Sequence, residues 1–196
     1  MPDLAPPKFN PLVIASSPFR YAIVETCLSN QTCDRILHWF ENGAPWRLSR
    51  TDFYEQFEFS CWDSDSLVAL FLTSNVVLER VRSTMTNVFD RTFDEDVSVV
   101  CHQLVAPQKI GIHNDFLEAQ ETHRLVIQLN RGLSDADGGV LMLFNSENPE
   151  DVHRLLRPVH RSAFAFEISP ASNHAVSQVY GGERYTLIYS LRERSS

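Results

Sequence analysis

A mainly β fold with flanking helices, closed as a sandwich or barrel, is what this sequence predicts. Three observations carry that expectation. From residue 97 onward, short apolar-rich runs alternate with turn residues at the spacing of an all-β core. Ahead of them, two stretches carry apolar residues at helical period instead. With 196 residues and 43% hydrophobic content, the chain has enough material for one domain with a sizeable core.

The elements follow in order. Residues 1–18 hold most of a proline cluster and read as a loosely held lead-in, residues 19–96 as a helix-and-strand support, and residues 97–191 as the core. Tyr21-Ala22-Ile23-Val24 reads as a strand. Ser29 is a suitable N-cap for a helix whose Cys33, Ile36, Leu37 and Phe40 fall on one face, and Gly43 and Pro45 end it. The stretch 46–62 is rich in aromatics, and its Phe57 and Phe59 alternate as in a strand. These rings are expected in the core, with part of the stretch lining an opening. Residues 66–89 carry a second helical stripe, broken near Ser74-Asn75. Strands then follow over 97–105, 110–113, 124–130, 140–144, 162–168, 175–179 and 184–191. Gly138-Gly139 lacks the Lys-Ser/Thr of a phosphate loop and reads as a hairpin turn. Residues 153–161 form a basic cluster expected in a solvated loop.

Composition excludes several classes. A net charge of −8 disfavours nucleic acid as a partner. No apolar run approaches the roughly 18 residues of a membrane span. The N-terminus shows no basic start followed by an apolar stretch, so a secretory signal is not expected and the cytoplasm is. Cys27, Cys33, Cys61 and Cys101 include no Cys-x-x-Cys pair and read as reduced, buried thiols.

The chemistry concentrates in Gly111-Ile112-His113-Asn114-Asp115, Asn173-His174 and Arg184. Two histidines and a carboxylate are the ligand set that holds Fe(II) on one face and leaves the other open. On an extended backbone, His113 and Asp115 would point to the same side. His-x-Asp is weak alone; the later His174, followed by Arg184 on a strand, gives it weight. Such an arginine suits the distal carboxylate of a 2-oxo diacid whose other end chelates the metal. Thr186, on the same strand face, adds a hydroxyl donor. His38, His102, His123, His153 and His160 read as structural or surface residues, although His123-Arg124 opens a strand and could meet a substrate.

The succession His113-x-Asp115, Leu129-Asn130, Gly138-Gly139-Val140-Leu141, Arg157-Pro158, Phe164-x-Phe166, His174-Ala175-Val176 and Gly182-x-Arg184 resembles the prolyl-4-hydroxylase-like branch of the Fe(II)/2-oxoglutarate-dependent oxygenases. The resemblance implies a double-stranded β-helix (jelly-roll) core. It implies His113, Asp115 and His174 as iron ligands and Arg184 as the 2-oxoglutarate anchor, with dioxygen as cosubstrate and ascorbate as an accessory reductant. Where some members use two tyrosines to bind the cosubstrate, this chain places Gln128 and Gln103. Relatives that halogenate lack the carboxylate ligand, so Asp115 implies hydroxylation. Residues 53–60, with His113-Asn114-Asp115 and Glu121-Thr122-His123-Arg124-Leu125-Val126, look like a bacterial subset that tailors ribosomally made peptides carrying cyclophane crosslinks. The implied partner is a peptide substrate. The alternatives are a free amino acid or small-molecule substrate, a non-catalytic jelly-roll module, and a zinc or manganese cupin.

Overall fold

The structure is a computed structural model that describes residues 4–10, 13–117 and 120–194. Its strands are β1 (Val13–Ala15), β2 (Tyr21–Val24), β3 (Arg47–Arg50), β4 (Glu55–Ser60), β5 (Phe93–Val105), β6 (Ile110–His113), β7 (His123–Gln128), β8 (Leu141–Phe144), β9 (Val152–Leu156), β10 (Ala163–Glu167), β11 (His174–Val176) and β12 (Glu183–Glu193). Its helices are α1 (Asn30–Asn42), α2 (Leu67–Leu72) and α3 (Asn75–Phe89).

The strands form two sheets, ordered β1-β2-β10-β7-β12-β5-β4-β3 and β6-β11-β8-β9. From β5 onward the chain passes repeatedly between them, which is the double-stranded β-helix, or jelly roll. Because side chains alternate along a strand, the larger sheet has two distinct faces. Its outer face carries Val99, Cys101, Leu125, Ile127, Leu187 and Tyr189, packed with Ile36, Leu37 and Phe40 of α1 and Val81, Met85 and Phe89 of α3. Its inner face carries Tyr21, Leu104, Phe164 and Phe166, which meet Leu141, Leu143 and Val176 of the smaller sheet.

Local chemistry fixes the support helices. The Ser29 hydroxyl accepts from the Thr32 amide at 3.1 Å, and the Gly43 amide closes α1 on the Trp39 carbonyl at 2.9 Å. At the C-terminus of α3, the Arg20 guanidinium donates to the Phe89 and Val88 carbonyls at 2.7 and 2.8 Å. A cation there satisfies orphan carbonyls and complements the helix dipole.

Three expectations need correction. Gly138-Gly139 is not a hairpin turn: β7 and β8 lie in different sheets, so the connection crosses the sandwich. Residues 153–156 of the basic cluster belong to strand β9 rather than a loop, because Leu156 and Arg154 pair with Leu141 and Leu143 of β8. Val13–Ala15 of the expected lead-in pair with β2; Met1, Pro2, Asp3, Pro11 and Leu12 of that lead-in lie outside the described residues. All four cysteines are free and buried, as expected. No helix among the described residues is long and apolar enough to cross a membrane.

His123 faces the helices, 1% exposed, with its ring against Phe89 and Phe93 at 4.7 and 4.9 Å. Burial, with Arg91 and Arg20 nearby, pushes its pKa down to about 4 from 6.5. Between those values the unfolded chain binds a proton that the folded chain does not, so stability falls as pH drops through that window. His123→Phe keeps the ring contacts and removes the titration. Urea denaturation at neutral and mildly acid pH should show that the variant loses roughly 1–3 kcal/mol less than the parent on acidification.

Candidate metal centre

His113 ends β6 and His174 opens β11, and the two strands pair with these residues opposite each other. Their ring centroids lie 4.2 Å apart. Asp115 arrives differently from the sequence expectation. It lies beyond the end of β6, at a φ of 60°, a left-handed conformation that aspartate tolerates better than most residues. The convergence of His113 and Asp115 therefore comes from a turn, not from strand alternation. That turn is pinned: the Asn114 carbonyl accepts from the Ser172 hydroxyl at 2.7 Å, and Asn114 Oδ1 accepts from the Phe116 amide at 3.0 Å.

The histidine tautomers follow from their partners. His113 Nδ1 faces the Gly111 carbonyl at 2.9 Å, and His174 Nδ1 faces the Ser172 carbonyl at 2.7 Å. A carbonyl only accepts, so both Nδ1 atoms carry hydrogen and both Nε2 atoms face inward. His113 Nε2 lies 3.5 Å and His174 Nε2 3.3 Å from the Asp115 carboxylate. One ligand atom from each residue falls within 4.8 Å of the others. Three acceptors facing one another at this spacing suit a shared cation. Burial and the neighbouring His174 push the His113 pKa down to about 4, which favours the neutral, ligating form. Burial pushes the Asp115 carboxyl up, but its contact with His174 and the charge of Arg124 outweigh it and hold the group well below the usual range. The donor set fits a divalent metal of the Fe(II) type.

The sequence reading underweighted Arg124. Its Nη1 donates to Asp115 at 2.6 Å, its Nη2 to Glu121 at 2.8 Å and its Nε to the Ser190 hydroxyl at 3.3 Å. The signal was present in the period-two pattern: if His123 turns outward, Arg124 turns inward.

The other expected residues divide. Arg184 is 4% exposed, and its Nε donates to the Gly139 carbonyl at 2.9 Å. No ion-pair partner reaches it among the described residues, and burial lowers its pKa to about 10. A buried cation with only a carbonyl beside it is a seat for an anion. Gly139 allows the approach: at a φ of 67°, an added Cβ would stand 2.8 Å from Arg184 Cδ. Thr186 lies opposite Gln128 on one side and His102 on the other, and His102 lies opposite Glu58, making one row across the inner face. Gln128 is buried there, its Oε1 accepting from Asn130 at 3.1 Å.

Gln103 does not join that row. It points to the outer face, where its Nε2 donates to the Tyr185 hydroxyl at 3.3 Å, so the expectation that it binds cosubstrate fails. Its neighbour His102 faces inward in its place. Burial, with Arg124 and Arg184 nearby, pushes His102 down to about 3 and keeps it neutral. The aromatic stretch also divides: Phe59 is core with Trp46 packed against it, whereas Phe53 stacks on His113 at 4.8 Å.

Comparison with known proteins agrees with this geometry. Residues 98–192 match the family model of the 2OG-Fe(II) oxygenase superfamily. Over 108 residues the chain is 29% identical to Prolyl 3-hydroxylase OGFOD1 of Xenopus laevis, a match covering 54% of this chain and 21% of that protein. The chain thus spans about a fifth of that relative's length. A prolyl-4-hydroxylase structure from Pseudomonas putida superposes with a TM-score of 0.72 at 17% identity, covering 89% of this chain and 93% of that one. A prolyl hydroxylase from Trichoplax adhaerens, in complex with a hypoxia inducible factor oxygen degradation domain peptide fragment, superposes with a TM-score of 0.68 at 13% identity, covering 87% and 82%. With the jelly roll, the His-Asp-His cluster and the family match in agreement, residues 98–192 form a domain of the 2OG-Fe(II) oxygenase superfamily.

Proposed function

We propose that the chain hydroxylates an unactivated C–H bond on a peptide side chain, using Fe(II), 2-oxoglutarate and dioxygen. The sequence resemblance narrows the peptide to a ribosomally made one of the cyclophane-bearing kind. The observation that carries the reading is the convergence of both Nε2 atoms on the Asp115 carboxylate, inside a fold that also buries Arg184 without an acidic partner among the described residues.

Ferrous iron held by His113, Asp115 and His174 supplies the coupling of substrate oxidation to conversion of 2-oxoglutarate and dioxygen into succinate and carbon dioxide. The chain's residues supply position and charge. Arg184 takes the far carboxylate of the cosubstrate through charge-assisted hydrogen bonds. Thr186, Gln128 and the neutral imidazole of His102 form the polar wall beside it. Arg124 holds Asp115 in place and balances its charge.

A cavity of about 690 Å³ opens over the ligands, within the usual range for a ligand site. Its lining includes Phe53, Phe116 and Leu117, all exposed, with Glu121 and Glu147. Apolar surface beside carboxylates suits a peptide whose reacting residue is flanked by an apolar or cationic one. The Trichoplax adhaerens relative, with a peptide in its structure, supports the substrate class.

Incubation with candidate peptides, Fe(II), 2-oxoglutarate and air should give a peptide heavier by one oxygen and an equal amount of succinate, read by mass spectrometry. Succinate formed only with free amino acids would overturn the peptide assignment. His174→Ala should abolish turnover, and Arg184→Ala should raise the 2-oxoglutarate requirement without comparable loss of iron binding; an unchanged requirement would place the anchor elsewhere. Arg124→Ala, which removes the only cation hydrogen-bonded to Asp115 among the described residues, should weaken Fe(II) binding by about 10–100-fold in a metal titration.

A further inference from the structure

A second, larger cavity of about 1170 Å³ lies beside the one over the metal, and the two share Gln120 and Glu121 in their linings. We propose that this cleft seats the residues flanking the reacting side chain of a cationic, apolar peptide. The proposal rests on the peptide hydroxylase reading above and deepens it.

The cleft adjoins the site through one side chain. Arg124 reaches the Asp115 carboxylate at the metal cavity, the Glu121 carboxylate on the shared wall and the Ser190 hydroxyl in the cleft. A chain lying across Glu121 would therefore occupy both cavities at once. The lining also holds the features of a peptide seat. Trp62 leaves 55% of its surface exposed, yet its indole N–H donates to the Val97 carbonyl at 3.1 Å, so the ring is fixed rather than free. Val76, 65% exposed, extends the apolar surface. A pinned, exposed tryptophan is a common anchor for a bound side chain, since little entropy remains to be lost.

Charge decides the class of peptide. Glu79, Glu95, Asp96 and Glu121 line the cleft with Arg82 and Arg192, and two of these carboxylates are already paired, Glu79 with Arg82 and Glu121 with Arg124. Arg82 is already engaged by the Glu79 carboxylate at 2.5 Å and the Glu95 carbonyl at 3.3 Å. The Glu95 and Asp96 side chains have no ion-pair partner among the described residues, and the chain as a whole carries −8. Complementarity selects lysine or arginine beside apolar residues and repels an acidic peptide.

The test uses the full chain loaded with Fe(II) and 2-oxoglutarate under argon, where binding proceeds without turnover. Two fluorescently labelled probes are titrated: a peptide alternating lysine and leucine, and its counterpart with glutamate in place of every lysine. The lysine probe should bind, and the glutamate probe should not. Trp62→Ala and Glu95→Lys should each weaken the lysine probe by about tenfold, with melting temperatures close to the parent's. Glu95 is exposed, so its variant guards against a folding artefact at Trp62. Failure of the parent to bind the lysine probe, preference for the glutamate probe, or equal binding by parent and both variants would overturn the cleft assignment. Admitting air then tests the other reading separately. Succinate formed despite a failed titration would remove the cleft and keep the oxygenase, whereas selective binding without succinate would do the reverse.

Discussion

Two backbone carbonyls set the character of this molecule. Those of Gly111 and Ser172 each take the Nδ1 hydrogen of a histidine two residues on and thereby aim its Nε2 at Asp115. The pairing of β6 with β11 faces His113 with His174 and so brings both Nε2 atoms to one carboxylate. The site's acceptor geometry is thus an outcome of strand pairing, and the jelly roll exists, in functional terms, to bring two short strands into that register.

The loop 169–172 connects the two halves of the arrangement. Ser172 orients His174 through its carbonyl and the Asp115 turn through its hydroxyl, which donates to the Asn114 carbonyl. A residue that no metal-binding motif would single out therefore holds two of the three ligands. Arg124 completes the support from the opposite sheet. Its charge makes a buried carboxylate tolerable there, a balance that burial alone would oppose.

Much of this was legible in the sequence. The order of the core strands, the helix capped by Ser29, and the meeting of His113, Asp115 and His174 follow from spacing and motif order. What failed did so for identifiable reasons. Gln103 was placed by the resemblance, but along β5 the alternation that turns Cys101 to the helices sends Gln103 the same way and His102 inward. Strand β9 was hidden by its charged residues: it is an edge strand with Leu155 and Val152 exposed, so half its pattern reads as loop. Gly138-Gly139 looked like a hairpin because a crossover between sheets and a tight turn use the same left-handed residues. His123 and Arg124 were treated as a pair, although alternation sends one to the helices and the other to Asp115.

The closeness of Gly139 to Arg184 has a practical corollary. The position of the Arg184 guanidinium is set by a residue that bears no side chain and lies on a different segment of the chain. Filling that space while shortening residue 184 would relocate the positive charge without touching His113, Asp115 or His174. On the function proposed above, the pair offers a route to a variant that accepts a synthetic keto acid in place of 2-oxoglutarate.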